Sequence, residues 1–92
     1  MRSVHGKLTL LANTPIQIFS IPVSELHNVA VKAAGSLALG GSEIETTKGL
    51  GMENGDIAAW SWQDFRQDEK GNFTLFAVAP AQTTLSFLIW RR

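Results

Sequence analysis

The sequence predicts an all-β domain, an antiparallel β-sandwich or small barrel of about eight short strands. Three observations predict it. Apolar residues alternate with polar ones at period two, turn residues fill the gaps, and the segments recur every ~8–12 residues. The 92 residues make one domain, residues 1–92, with no room for a second core.

In chain order, Leu8 and Leu10 flank Thr9, and Ile16 and Ile18 flank Gln17. Between them Asn13-Thr14-Pro15 forms a corner, because an Asn side chain bonds its own backbone and Pro presets φ. Ser24-Glu25-Leu26-His27 starts the only stretch, Val23–Ala34, that has a helical case; it reads as a loop or one turn leading into a strand at Asn28. Val29 and Val31 then flank Ala30, and Leu37 and Leu39 flank Ala38 before Gly40-Gly41. Further strands are expected at Glu43–Thr47, Ile57–Phe65, Phe73–Val78 and Thr83–Arg91. Asn54-Gly55-Asp56 and Gly71-Asn72 are residues that accept positive φ in hairpin turns.

Two strands are apolar on both sides. In the last, Leu85, Phe87 and Ile89 share one face while Leu88 and Trp90 share the other; before it, Phe73 and Leu75 oppose Phe76 and Val78. An antiparallel sheet in a small monomer keeps one face wet. A second apolar face therefore points to a cover, in a domain this small first of all another protein chain, the alternative being a strongly curled sheet or a bulge that tucks both faces into one core. Leu88 and Trp90 are the expected contact residues of such an interface, whether with another copy or with another protein. Trp60 and Trp62, two apart, project from one strand face and join them as interface candidates; a place for both in the core carries equal weight.

Composition narrows the function. The chain is 45% hydrophobic and 17% charged, with 8 basic and 8 acidic residues, so its surface carries little charge to resist association. Nucleic acid and anionic membranes both need a clustered positive footprint, and only Arg91-Arg92 is dense. Neither is expected as a partner. With no cysteine there is no disulfide framework and no thiolate metal site. The opening MRSVHGKLTL lacks the apolar run of a signal peptide.

Catalytic groupings are sparse. His5 and His27 are the only histidines, with no Gly-x-Ser-x-Gly elbow and no metal-binding spacing, so no catalytic residue, metal or cofactor is expected. Glu43 and Glu45 alternate on one strand, and Glu53 and Asp56 flank a turn, but a glycosidase holds its acid pair in a cleft larger than this chain builds. Asp64, Asp68 and Glu69 lie among Arg66 and Lys70 in an expected exposed hairpin. Gly40, Gly41, Gly49 and Gly55, with Gly35 and Gly51, precede no helix and cradle no phosphate; they serve turns and bulges.

The order of the pieces resembles small β-sandwich proteins encoded among bacteriophage structural genes. The opening is Thr14-Pro15-Ile16-Gln17-Ile18, followed by the apolar strand Val29-Ala30-Val31-Lys32. Leu39-Gly40-Gly41-Ser42-Glu43-Ile44 supplies the central motif, then come Thr46-Thr47-Lys48-Gly49, a Gly55-Asp56 corner and the apolar finish Leu85-Ser86-Phe87-Leu88-Ile89-Trp90. The chain differs in having Glu53-Asn54 where that pattern has a proline before the corner glycine. The resemblance implies a capsid decoration (cement) protein, a head fibre or a minor tail component, made in the host cytoplasm and carried in the virion. It also implies homotrimers at local threefold positions, with the major capsid protein or tail proteins as partners. The expected function is therefore structural: a decoration protein that binds the outer head surface and stabilises the shell. The alternative is a tail, baseplate or fibre module that binds protein or glycan, and a small glycan hydrolase stands last.

Overall fold

The computed structural model describes residues 2–41, 44–46, 49–61 and 71–91, with the side chain of Arg2 left aside. Among the described residues eight strands are present: β1 (Arg2–Leu10), β2 (Ile16–Pro22), β3 (Leu26–Ala33), β4 (Leu37–Gly40), β5 (Leu50–Met52), β6 (Ile57–Ser61), β7 (Asn72–Val78) and β8 (Thr83–Arg91). They form two four-stranded sheets, ordered β1-β8-β3-β6 and β2-β7-β4-β5, with every neighbouring pair antiparallel. The expected sandwich is the observed fold.

The pairing has a simple rule. Each strand pairs with the one equally far from the other end of the strand order: β1 with β8, β2 with β7, β3 with β6, β4 with β5. The chain is one long hairpin, closed between β4 and β5, whose double strand winds from sheet to sheet. Extra pairings of β3 with β8 and of β4 with β7 join successive turns of the winding.

Only β4 and β5 are consecutive neighbours in one sheet, so most turn residues serve as corners between sheets. Thr14 N–H donates to Leu11 O at 3.3 Å around Asn13, which takes the left-handed φ of 56°. Asp56 N–H donates to Glu53 O at 3.0 Å, and Gly55 at φ 90° holds the position where a type II turn needs positive φ. That turn leads from β5 to β6 across the sandwich; it is not the hairpin its residues suggested. The single turn expected before β3 is a 3-10 turn, Val23–Glu25, and the strand follows from Leu26.

Other expectations shift. Within Glu43–Thr47, the described residues Ile44–Thr46 belong to none of the eight strands, and β5 lies later, at Leu50–Met52. The bulges fall at Ile18 and His27, where the registers of β2–β7 and β3–β8 slip, and neither is a glycine. The hairpin expected around Asp64–Lys70 lies outside the described residues.

The core lies between the sheets. Sheet one contributes Val29, Val31, Ala33, Leu85 and Ile89, and sheet two Phe19, Leu37, Leu39, Leu75 and Ala77. Phe73 joins the layers, stacking edge-on against Phe19 at 5.3 Å within its sheet and against Trp60 at 5.9 Å across the sandwich. Such pairs add about 0.5–1.5 kcal/mol beyond the area they bury.

Candidate interaction face

The two sheets treat their outer faces differently. On the outside of β7, Phe76 and Val78 are apolar, and Val78 and Ala38 are buried beneath Ile44 from the connection after β4. The chain thus covers this face itself, and the partner chain expected over Phe76 and Val78 is replaced by Ile44. Glycines make the lid possible. A Cβ on Gly40 would stand 2.6 Å from Ile44 Cδ1, and one on Gly49 would meet both that methyl and the Leu39 carbonyl oxygen. Gly49 also holds φ 106°, a conformation side-chain-bearing residues resist. Gly41 has nothing within 4 Å of an added Cβ and no positive φ, so nothing in its surroundings requires glycine.

The outer face of the first sheet has no such lid in the described chain. Its residues follow from the register. Trp90 of β8 lies between Ser3 of β1 and Asn28 of β3. One row further along, Leu88 lies between His5 and Ala30, and Ala30 faces Ala59 of β6. In the next row Ser86 separates Lys7 from Lys32, and Lys32 faces Ile57. Trp90 remains 38% exposed, while Leu85 and Ile89 on the opposite side are buried.

Large side chains on β8 and alanines on β3 and β6 give this face relief. Trp90 and Leu88 form a ridge; Ala30 and Ala59 leave a trough beside it. The resulting cavity, about 440 Å³, is lined by these four residues with His27, Asn28 and Val29. The bulge at His27 brings its imidazole to the trough's end. Sequence alternation identified Leu88 and Trp90 but not the alanines, which become visible only as the neighbours of Leu88 in the register.

Trp60 is corrected. It pairs with Val29, whose side chain is buried, and so points inward onto Phe73. Its place is the core, because alternation fixes that Trp60 opposes Ala59 but only the partner strand fixes which of them faces out. Trp62, the other interface candidate of that strand, lies outside the described residues, as does Glu43 of the imagined acid pair.

Polar groups at the ends of the sandwich are engaged locally. Arg91 donates to the Glu25 carboxylate, and Ser36 donates to that of Glu53. Glu53 N–H donates to Asp56 Oδ2 at 2.9 Å, which closes the corner turn. No group of three or more His, Cys, Asp or Glu side chains placed to hold a metal ion occurs among the described residues.

No protein-family model matches this chain, and no curated protein matches it in sequence. Among solved structures it is similar to the solution NMR structure of a de novo designed double-stranded β-helix, with a TM-score of 0.60 and 11% identity over 97% of this chain and 99% of that one. At that identity the likeness is one of fold. It matches the winding described above, in which a long hairpin coils into two facing sheets, the architecture also called a jelly roll.

Proposed function

We propose that this chain is a non-catalytic structural protein of a bacteriophage particle: a decoration protein that binds the outside of the head and stabilises the shell. One observation carries the reading. Among the described residues, the sandwich has Ile44 packed over one outer face and no such cover over the other, around Trp90 and Leu88. A subunit that attaches to a surface needs that asymmetry: one apolar side to bury and one finished side to present to water. Large exposed apolar groups on a small domain mark interaction sites. Jelly rolls recur in capsids, lectins and cupins, so the fold allows the role without selecting it.

On this reading Leu88 and Trp90 take the capsid contact. Two copies of the face stacked about an axis along β8 would bring Lys7 and Lys32 against their own kind, which opposes that pairing. The contacts of a homotrimer then fall to the edges of the same sheet, where Val4 on β1 is 46% exposed and Ile57 on β6 is 66% exposed. Opposite edges meeting head to tail close a ring when the rotation allows.

A cement protein stabilises only the assembled lattice, in proportion to its occupancy. Heads assembled without the chain should lose thermal and osmotic resistance and regain it when the purified protein is added. Equal robustness with and without the chain overturns the cementing role. The second reading, a tail, baseplate or fibre module, is favoured by His27 and Asn28 beside the Trp90 trough, a combination that suits a sugar or peptide. Immunogold labelling of virions separates the two, with label confined to the tail supporting the second.

A further inference from the structure

From the charges around the bare face we infer that it docks an acidic patch of the head surface, seating one apolar side chain of the capsid protein in the trough between Trp90 and Ala59. The inference rests on the decoration reading and names the chemistry of its contact.

The argument begins with where the charges lie. Lys7 and Lys32 stand in one row across the sheet, separated by Ser86. Two strand spacings put their backbones about 10 Å apart. Both are exposed, and His5 lies on the neighbouring row. Among the described residues no carboxylate belongs to these rows. Glu25 is held by Arg91 at one end of the sandwich, and Glu53 and Asp56 are tied into their own turn. Glu45 follows Ile44, the lid of the other sheet. Among the described residues the face therefore presents Lys7 and Lys32 with no carboxylate beside them.

That arrangement selects the partner. A second copy stacked about an axis along β8 would set lysine against lysine, and a purely apolar surface would strip water from Lys7 and Lys32 with nothing in return. An acidic rim supplies the missing partners, speeding encounter and fixing orientation. The trough supplies the anchor: its 440 Å³ exceeds the bulk of one large side chain, and Ala30 and Ala59 floor it between the Trp90–Leu88 ridge and β6. Apolar centre and charged rim are the usual anatomy of such a contact.

The test uses heads of the encoding phage assembled without this chain, and co-sedimentation of the purified protein with them. Lys7→Glu/Lys32→Glu should weaken binding by roughly tenfold or more and flatten its decline between about 0.05 and 0.5 M salt. Ala59→Arg, which fills the trough, should weaken it by a similar factor, whereas Gln17→Glu on the other sheet should bind as wild type. The lysines are exposed, so their variant remains informative even where Ala59→Arg disturbs folding. Wild-type binding that none of the face variants alters overturns the inference and leaves the decoration role standing. Failure of the wild-type chain to bind heads removes both. Conversion of an oligomer to monomers by Ala59→Arg overturns it in favour of a second copy as the occupant.

Discussion

The Cδ1 methyl of Ile44 lies over the bare Cα of Gly40, in a space that a Cβ would enter at 2.6 Å. Gly49 borders the same methyl from the far side of the connection. The lid over Val78 and Ala38 thus depends on two residues that lack a side chain. Because Ile44 is the only apolar residue between Gly40 and Leu50, the seal of the second sheet rests on one plug.

Substituting these glycines should therefore separate them by role. Gly49→Ala combines a positive φ with a collision against the Leu39 carbonyl, and is expected to cost about 1–3 kcal/mol. Gly41→Ala meets open space and should stay within about 0.5 kcal/mol of wild type. Thermal denaturation followed by circular dichroism reads both. Equal effects at the two positions would mean that Gly49 does not hold the positive φ and the close approach to the Leu39 carbonyl described.

The two described tryptophans should also part company. Trp60→Ala removes the bridge to Phe73 and opens a core cavity, with an expected loss of about 3–5 kcal/mol. A chain of this size has little more than that in reserve, so the variant should be largely unfolded by modest urea. Retention of a wild-type urea midpoint would place Trp60 outside the core.

How much of this was legible beforehand depends on which interactions were local. Period-two alternation depends only on near neighbours, and it located Thr83–Arg91 to the residue and Phe73–Val78 within one. It also showed both strands to be apolar on two sides. What covers the second side is a long-range fact: Ile44 reaches β7 only once the hairpin has wound. The alternation of Glu43-Ile44-Glu45 imitates a strand for the same reason, since a plug and a strand residue both need one apolar side chain among polar neighbours. The first half of β1 carries His5, Gly6 and Lys7 and shows no apolar period; it is a strand because β8 offers it nine paired residues. Gly6 suits that place, as the Phe87 ring lies where its side chain would be.

Winding also sets the folding rate. The outermost pairing joins Arg2 to Arg91, and even the innermost, β4 with β5, spans a connection of several residues. Loop closure must precede nearly every favourable contact, so folding in milliseconds to seconds is expected, well behind helical domains of equal length. Stopped-flow tryptophan fluorescence after dilution from urea measures it. A microsecond phase carrying the whole amplitude would contradict a fold whose contacts are mostly long-range.

The remaining prediction concerns Trp90, the residue on which capsid contact and self-association make different demands. Its indole lies on the outer face with Leu88, away from the buried Leu85 and Ile89, so removing it opens no core cavity. Trp90→Ser should leave the β-sheet circular dichroism intact and change stability by less than about 1 kcal/mol. Burial of such a side chain in a contact is worth roughly 1.5–3 kcal/mol, which corresponds to a loss of about tenfold to a hundredfold in affinity for heads. If the ring contacts run along the edges through Val4 and Ile57, sedimentation of Trp90→Ser at micromolar concentration should match wild type. Ile57→Glu should then shift the boundary toward the monomer, because a charge on one edge strand opposes its pairing with another. The reverse pattern, in which Trp90→Ser dissociates the oligomer and Ile57→Glu does not, would assign the bare face to contacts between copies. A wild-type chain that sediments as a monomer would leave Trp90 to the head alone and remove the ring.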